Sequence, residues 1–164
     1  NKWTINLKSF EITLRKTAIN LINKWTINLK SFEIKEYDDY CALIDNLKAE
    51  ALAYGFDYKV DGKEHRQKCR DKDITLLASN VTFMLAEKTL FGKEKPITWY
   101  FEDNVGMSAG LEELGKLMLY GTTFIQSVYD TEHHFKTLKE IKKISKIEFE
   151  TKRKELHIKR VGGN

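Results

Sequence analysis

NKWTINLKSFEI occupies residues 1–12 and returns, letter for letter, at 23–34. How this block is read decides the N-terminal part of the fold. In each copy Trp, Ile and Leu (Trp3, Ile5, Leu7; then Trp25, Ile27, Leu29) alternate with polar residues, and β-branched side chains are frequent. Side chains of a strand point to alternate faces, so a period of two predicts a strand with one apolar face. The alternation slips at Lys8-Ser9 and again at Lys30-Ser31, which reads as a bulge or bend. Between the copies, Thr17 to Ile22 reads as a short strand or one helical turn. Repeats of roughly 20–50 residues often mark solenoids, but those need about three units or more, and this chain has two. Identity without drift points to recent duplication of one strand. Trp25, Ile27 and Leu29 are then the ancestral copy, and Trp3, Ile5 and Leu7 repeat it as a neighbouring strand or as an exposed edge that pairs with another subunit, unless the first copy is only a duplication scar.

From Glu36 the period changes. Tyr40, Leu43, Ile44, Leu47, Ala51 and Tyr54 follow a helical stripe, and Gly55 stands where a C-terminal glycine cap belongs. Phe56, Tyr58 and Val60 alternate ahead of Asp61-Gly62, a pair that tolerates positive φ and predicts a two-residue hairpin turn. Asp71 or Asp73 can cap a second helix with the stripe Ile74, Leu77, Val81, and Met84 or Leu85, ending before Gly92. Ile97 to Phe101 reads as an aromatic strand, Glu102-Asp103-Asn104 as a turn, and Val105 to Met107 as the return strand. Ser108 is the expected cap of a long last helix. Its seam is Leu114, Leu117, Gly121, Phe124, Val128, Thr131, Phe135 and Leu138, stepping by three and four. Ile141, Ile144 and Ile147 then step by three, so the seam rotates there, and from Glu148 a fraying, basic tail is expected to end in a flexible Gly162-Gly163.

The order GFDYKVDGKEHRQKCRDKDITLLASNV, ITWYFEDN and LEELGKLMLYGTTFIQSVYDTEHHFKTLKEI resembles a domain of unknown function common in bacteriophage and prophage genomes. That family occurs in tail-fibre, baseplate and tail-assembly proteins, and the resemblance covers roughly residues 44–142. It implies a fold and a phage origin, and it carries over no functional residue.

Charge is unevenly distributed. Residues 1–35 hold seven lysines and arginines against two glutamates, residues 36–135 eleven against eighteen acids, and residues 136–164 ten against four. Such basic ends suit an acidic partner or the acidic middle of the chain itself. With Trp3, Phe10, Trp25 and Phe32 interleaved, the N-terminal end also holds the ingredients of nucleic-acid binding, phosphate neutralisation and stacking platforms. A shared apolar face argues instead for burial or a protein partner. A hydrophobic fraction of 41% is sufficient for a core, no run approaches the ~18 apolar residues of a membrane span, and no signal segment opens the chain. Cys41 and Cys69 make a poor disulfide framework and fit a reducing compartment.

Catalytic signals are weak. His65, Cys69 and Asp73 are four apart, a spacing a metal face could use, but no second ligand pair accompanies them. His133-His134 reads as a solvated helix face, and the adjacent carboxylates Glu112-Glu113, Glu102-Asp103 and Asp38-Asp39 as surface charge. There is no phosphate loop or nucleophile signature. The chain therefore reads as an α+β protein: a helix, β-hairpin, helix, β-hairpin and long C-terminal helix, with a duplicated N-terminal β-strand segment. The expected division is 1–35 for that segment, 36–147 for the phage-type domain and 148–164 for the tail. The expected function is a non-catalytic, cofactor-free protein–protein interaction module, a tail-associated structural or assembly protein in host cytoplasm or virion that also pairs with itself. Alternatives are a phage-encoded inhibitor of a host defence system, such as a CRISPR effector inhibitor, and a basic nucleic-acid-binding accessory protein. The interaction residues expected are Trp3, Ile5, Leu7, Trp25, Ile27 and Leu29, with Leu138, Ile141, Ile144, Lys142, Lys143, Lys146, Lys152, Arg153 and Lys154.

Overall fold

A computed structural model of the chain describes residues 2–138 and 140–161, the side chains of 2–7 and 161 excepted. The elements are α1 (Lys2–Tyr54), β1 (Phe56–Val60), β2 (Lys63–Gln67), α2 (Asp71–Phe91), β3 (Ile97–Tyr100), β4 (Gly106–Ala109), α3 (Leu111–Lys136) and α4 (Lys146–Val161). The α+β class and the order helix, hairpin, helix, hairpin, helix hold. Contacts divide the chain into two units, residues 1–42 and 43–164.

In the first unit the duplicated block is helical, which corrects the strand expectation. The residues themselves explain why. Trp3, Leu7, Phe10, Leu14, Ala18, Leu21, Trp25, Leu29 and Phe32 are spaced by four, three, four, four, three, four, four and three. Such spacing keeps one face of an α-helix, whereas the period of two covers only short runs. The supposed bulge at Lys8-Ser9 is the helical step from Leu7 to Phe10. No glycine or proline interrupts the chain before Gly55. Threonines that would favour a strand are accommodated by donating to the preceding turn: Thr13 Oγ1 to Ser9 O at 2.9 Å, Thr17 to Thr13 O at 3.0 Å and Thr26 to Ile22 O at 2.9 Å. Glu11 and Arg15 pair at 2.7 Å, one helical turn apart.

In the second unit Gly55 ends α1 with φ 78 and donates its N–H to Ala51 O at 2.9 Å. A Cβ here would stand 1.8 Å from Gln67 O, so glycine is required twice over. β1 and β2 pair antiparallel, from Phe56 opposite Gln67 to Val60 opposite Lys63, around Asp61 and Gly62, both at positive φ. β3 and β4 pair from Ile97 opposite Ala109 to Tyr100 opposite Gly106, with Asn104 at φ 61 in the connecting loop. The return strand thus sits at 106–109, and Ser108 lies within it. The cap of α3 is Gly110, whose N–H donates to the Glu113 carboxylate at 2.9 Å. In α2, Asp73 closes the first turn by accepting from Arg70 N, and Met84 rather than Leu85 is buried.

Helix α3 is the centre of this unit, packed against α2 and α4 and touching β1 and β4. Leu114, Leu117, Phe124, Val128 and Phe135 on its seam are buried with Ile44, Leu47, Phe56, Leu77 and Trp99. Trp99 Nε1 donates to Gln67 Oε1 at 2.8 Å, and Ser127 and Thr131 donate to α3 carbonyls, whereas His157 Nδ1 in α4 is buried without a hydrogen-bond partner. The long last helix expected through residue 147 instead breaks after Lys136 and restarts at Lys146, where the isoleucines step by three. The stretch from Glu148 is no fraying tail. Phe149 is buried, its ring stacked on Phe135 at 6.0 Å, and Arg153 lies over the Phe124 ring at 4.6 Å. Gly162-Gly163 lies outside the described residues.

Candidate interaction surfaces

Every residue from 8 to 39 of α1 is exposed, although a large share of them are apolar. Phe10, Leu14, Leu21, Trp25, Leu29 and Phe32 on the four-four-three stripe are each more than half exposed. At 3.6 residues per turn, the 22-residue offset between the copies is about 40° beyond six full turns and a rise of about 33 Å. Both copies therefore fall on nearly the same face. Trp25 and Leu29 belong to that stripe; Ile27, 64% exposed, does not. With Ile12, Ile19 and Ile34 it forms a second exposed row, roughly opposite the first at ~100° per residue. The side chains of Trp3, Ile5 and Leu7 lie outside the described residues, while their helical backbone replaces the strand face expected to unite them with Trp25, Ile27 and Leu29.

The expected C-terminal residues are dispersed. Leu138 is half-buried and Ile141 exposed in the α3–α4 connection, but Ile144 is 2% exposed and belongs to the core. The basic residues are largely engaged within the chain. Lys142 approaches Glu148 at 3.4 Å, Lys146 meets Glu50 at 3.1 Å, and Lys152 meets Glu155 at 3.0 Å. Lys159 and Lys152 together hold the Glu155 carboxyl down at about 2. Arg153 is buried and bound to Glu150 at 3.0 Å, while Lys143 and Lys154 are exposed. Four of these six cations are paired with carboxylates of the same chain, which leaves less free positive charge for a phosphate backbone.

Several residues with chemical potential are engaged in structural pairs or buried. His65 Nδ1 lies 2.7 Å from Asp103 Oδ2 and depresses the Asp103 carboxyl, Glu102 binds Lys68, and Asp73 binds Arg70 at 2.8 Å. Cys69 is buried, and burial pushes its thiol up to about 12, so it holds its proton. Glu112 pairs with Lys116 at 2.5 Å. A cluster invisible in the sequence ties α1 to α3: Lys136 reaches Asp45 at 2.7 Å and Glu132 at 2.8 Å, and Lys48 reaches Glu132 at 2.8 Å. Hydrogen bonding to Lys136 lowers the Asp45 carboxyl, and the two acids raise Lys136. A groove of about 460 Å³ is lined by Tyr54, Phe56, Tyr120, Phe149, Arg153 and Lys154, and its buried cation is already matched by Glu150.

Helix α2 carries a further exposed apolar face. Leu76, Phe83 and Leu90 recur every seven residues along α2, and all three are exposed. Their spacing was visible, but it resembles a core stripe and only packing shows which stripe is covered. Among the described residues no helix is long and apolar enough to cross a membrane. Comparison with protein-family models, curated proteins and solved structures found no match.

Proposed function

We propose that the protein is a non-catalytic protein–protein interaction module of phage or prophage origin, with a structural or assembly role in the tail. The observation that carries this reading is the exposure of residues 8–39 of α1 with two apolar rows. Contiguous exposed apolar surface of this extent is a partner-binding feature, because leaving it in water costs about 25 cal/mol per Å². The resemblance of residues 44–142 to a phage tail-associated domain supports the tail as the setting. Intramolecular pairing of the C-terminal cations favours a protein partner over nucleic acid.

Affinity capture from cells producing phage tests this, with the full chain compared against a Trp25→Glu, Phe32→Glu variant. A tail or baseplate protein is expected with the first and absent with the second. Equal recovery with both, or capture of no tail protein, overturns it.

A further inference from the structure

We infer that the exposed stripe of α1 is covered by α1 of a second copy of this chain, in a helix bundle built on an eleven-residue period. This rests on the interaction-module reading above and names the occupant.

The spacing four-four-three sums to eleven residues per three turns, about 3.67 per turn, and the 22-residue duplication is two such units. Duplicating 22 residues therefore lengthened the stripe while turning it by only about 40° on a straight helix. A seven-residue partner drifts by ~20° per heptad relative to a straight helix and leaves this seam within a few turns. A partner that follows it needs the same eleven-residue period. The helix shown to carry that period is α1 itself, over Trp3 to Phe32.

The available area suits such pairing. Phe10, Trp25 and Phe32 are 64%, 68% and 67% exposed. At ~150–250 Å² per aromatic residue they offer on the order of 100–150 Å² each. Leu14, Leu21 and Leu29 add roughly 100 Å² each by the usual burial scale. The described stripe thus approaches the ~800 Å² per partner of a standard interface.

The second row, Ile12, Ile19, Ile27 and Ile34, decides against a lipid surface. A helix lying in a membrane interface keeps one face apolar and the other charged. Here the face opposite the main stripe is apolar as well, which suits a bundle where each helix meets more than one neighbour.

Sedimentation of the purified full chain, with three variants, tests the inference. Inserting Ala-Ala between Thr17 and Ala18 rotates one copy of the block about 200° from the other, while inserting four alanines rotates it only about 40°. The full chain and the four-alanine insertion are expected to self-associate at micromolar concentration. The two-alanine insertion should raise the dissociation constant at least about tenfold, and Trp25→Glu with Leu29→Glu should leave a monomer. Circular dichroism of each variant checks that helicity is kept. Association indifferent to the two-alanine insertion overturns the eleven-residue seam. A monomeric full chain that gains helicity on phosphatidylserine vesicles overturns it in favour of lipid. A monomer that still captures a tail protein through Trp25 and Phe32 overturns the second-copy occupant while the interaction-module reading stands.

Discussion

Replacing Phe149 by alanine should detach α4 from the second unit. The side chain is 1% exposed, and its ring lies nearly parallel to Phe135, at 24° between planes. Phe→Ala at such a site costs about 3–5 kcal/mol, the lost transfer free energy plus the cavity left behind. Helix α4 has 16 residues, only just beyond the ~12–15 below which even a good helix former is marginal in water, and its sequence is not alanine-rich. Its helicity therefore depends on docking, which Phe149 and Arg153 dominate. A loss of 3–5 kcal/mol is comparable to what one docked helix contributes, so local release competes with global unfolding. Peptide-resolved hydrogen exchange with urea melts separates the two. Amides of 146–161 should exchange at least ~100-fold faster, since each 1.4 kcal/mol is about tenfold. Ile147→Ala, at a position 78% exposed on the same helix, is the control and should stay within about 0.5 kcal/mol. If Phe149→Ala and Ile147→Ala behave alike, the packed α4 is refuted and the stretch is a tail after all.

Other outcomes follow from the same packing. Gly55→Ala should cost at least ~2–3 kcal/mol in a urea melt, because positive φ and a Cβ 1.8 Å from Gln67 O act together. Gly62→Ala, with φ 82 but open space around it, should cost only about 1–2 kcal/mol, the left-handed strain alone. Equal costs would show that the contact with Gln67 carries no weight. For the cysteines, an aromatic disulfide reagent at neutral pH should titrate the half-buried Cys41 in the native chain and reach Cys69 only in denaturant. Two fast thiols would place Cys69 at the surface.

The second unit was legible because local chemistry and tertiary context agree there. Gly55, Asp61-Gly62 and Asn104 mark positions that must adopt positive φ, and the stripes at 44–51, 74–84 and 114–135 name their own core faces. The boundaries that moved are those where the deciding contact is remote. Ser108 is a good cap by type, but its pairing with Thr98 in the second hairpin holds it in β4. Tail residues 148–153 look solvent-loving because a lone Phe149 and an Arg153 do not announce that Phe135 and Phe124 await them. The paired state of the C-terminal lysines was hidden for the same reason, since Glu50 lies 96 residues from Lys146.

The duplicated block shows the division most clearly. By itself the sequence determined that residues 1–34 carry apolar side chains at fixed intervals, twice over and without a chain breaker. It contained two periodicities at once: Trp3, Ile5 and Leu7 alternate like a strand, while Trp3, Leu7, Phe10 and Leu14 step like a helix. Which one prevails depends on where the hydrogen bonds close. A strand needs a neighbour to pair its N–H and C=O groups, whereas a helix satisfies them within the segment. In the first unit no second strand stands alongside among the described residues, so the backbone closes on itself, and the apolar rows are left facing outward.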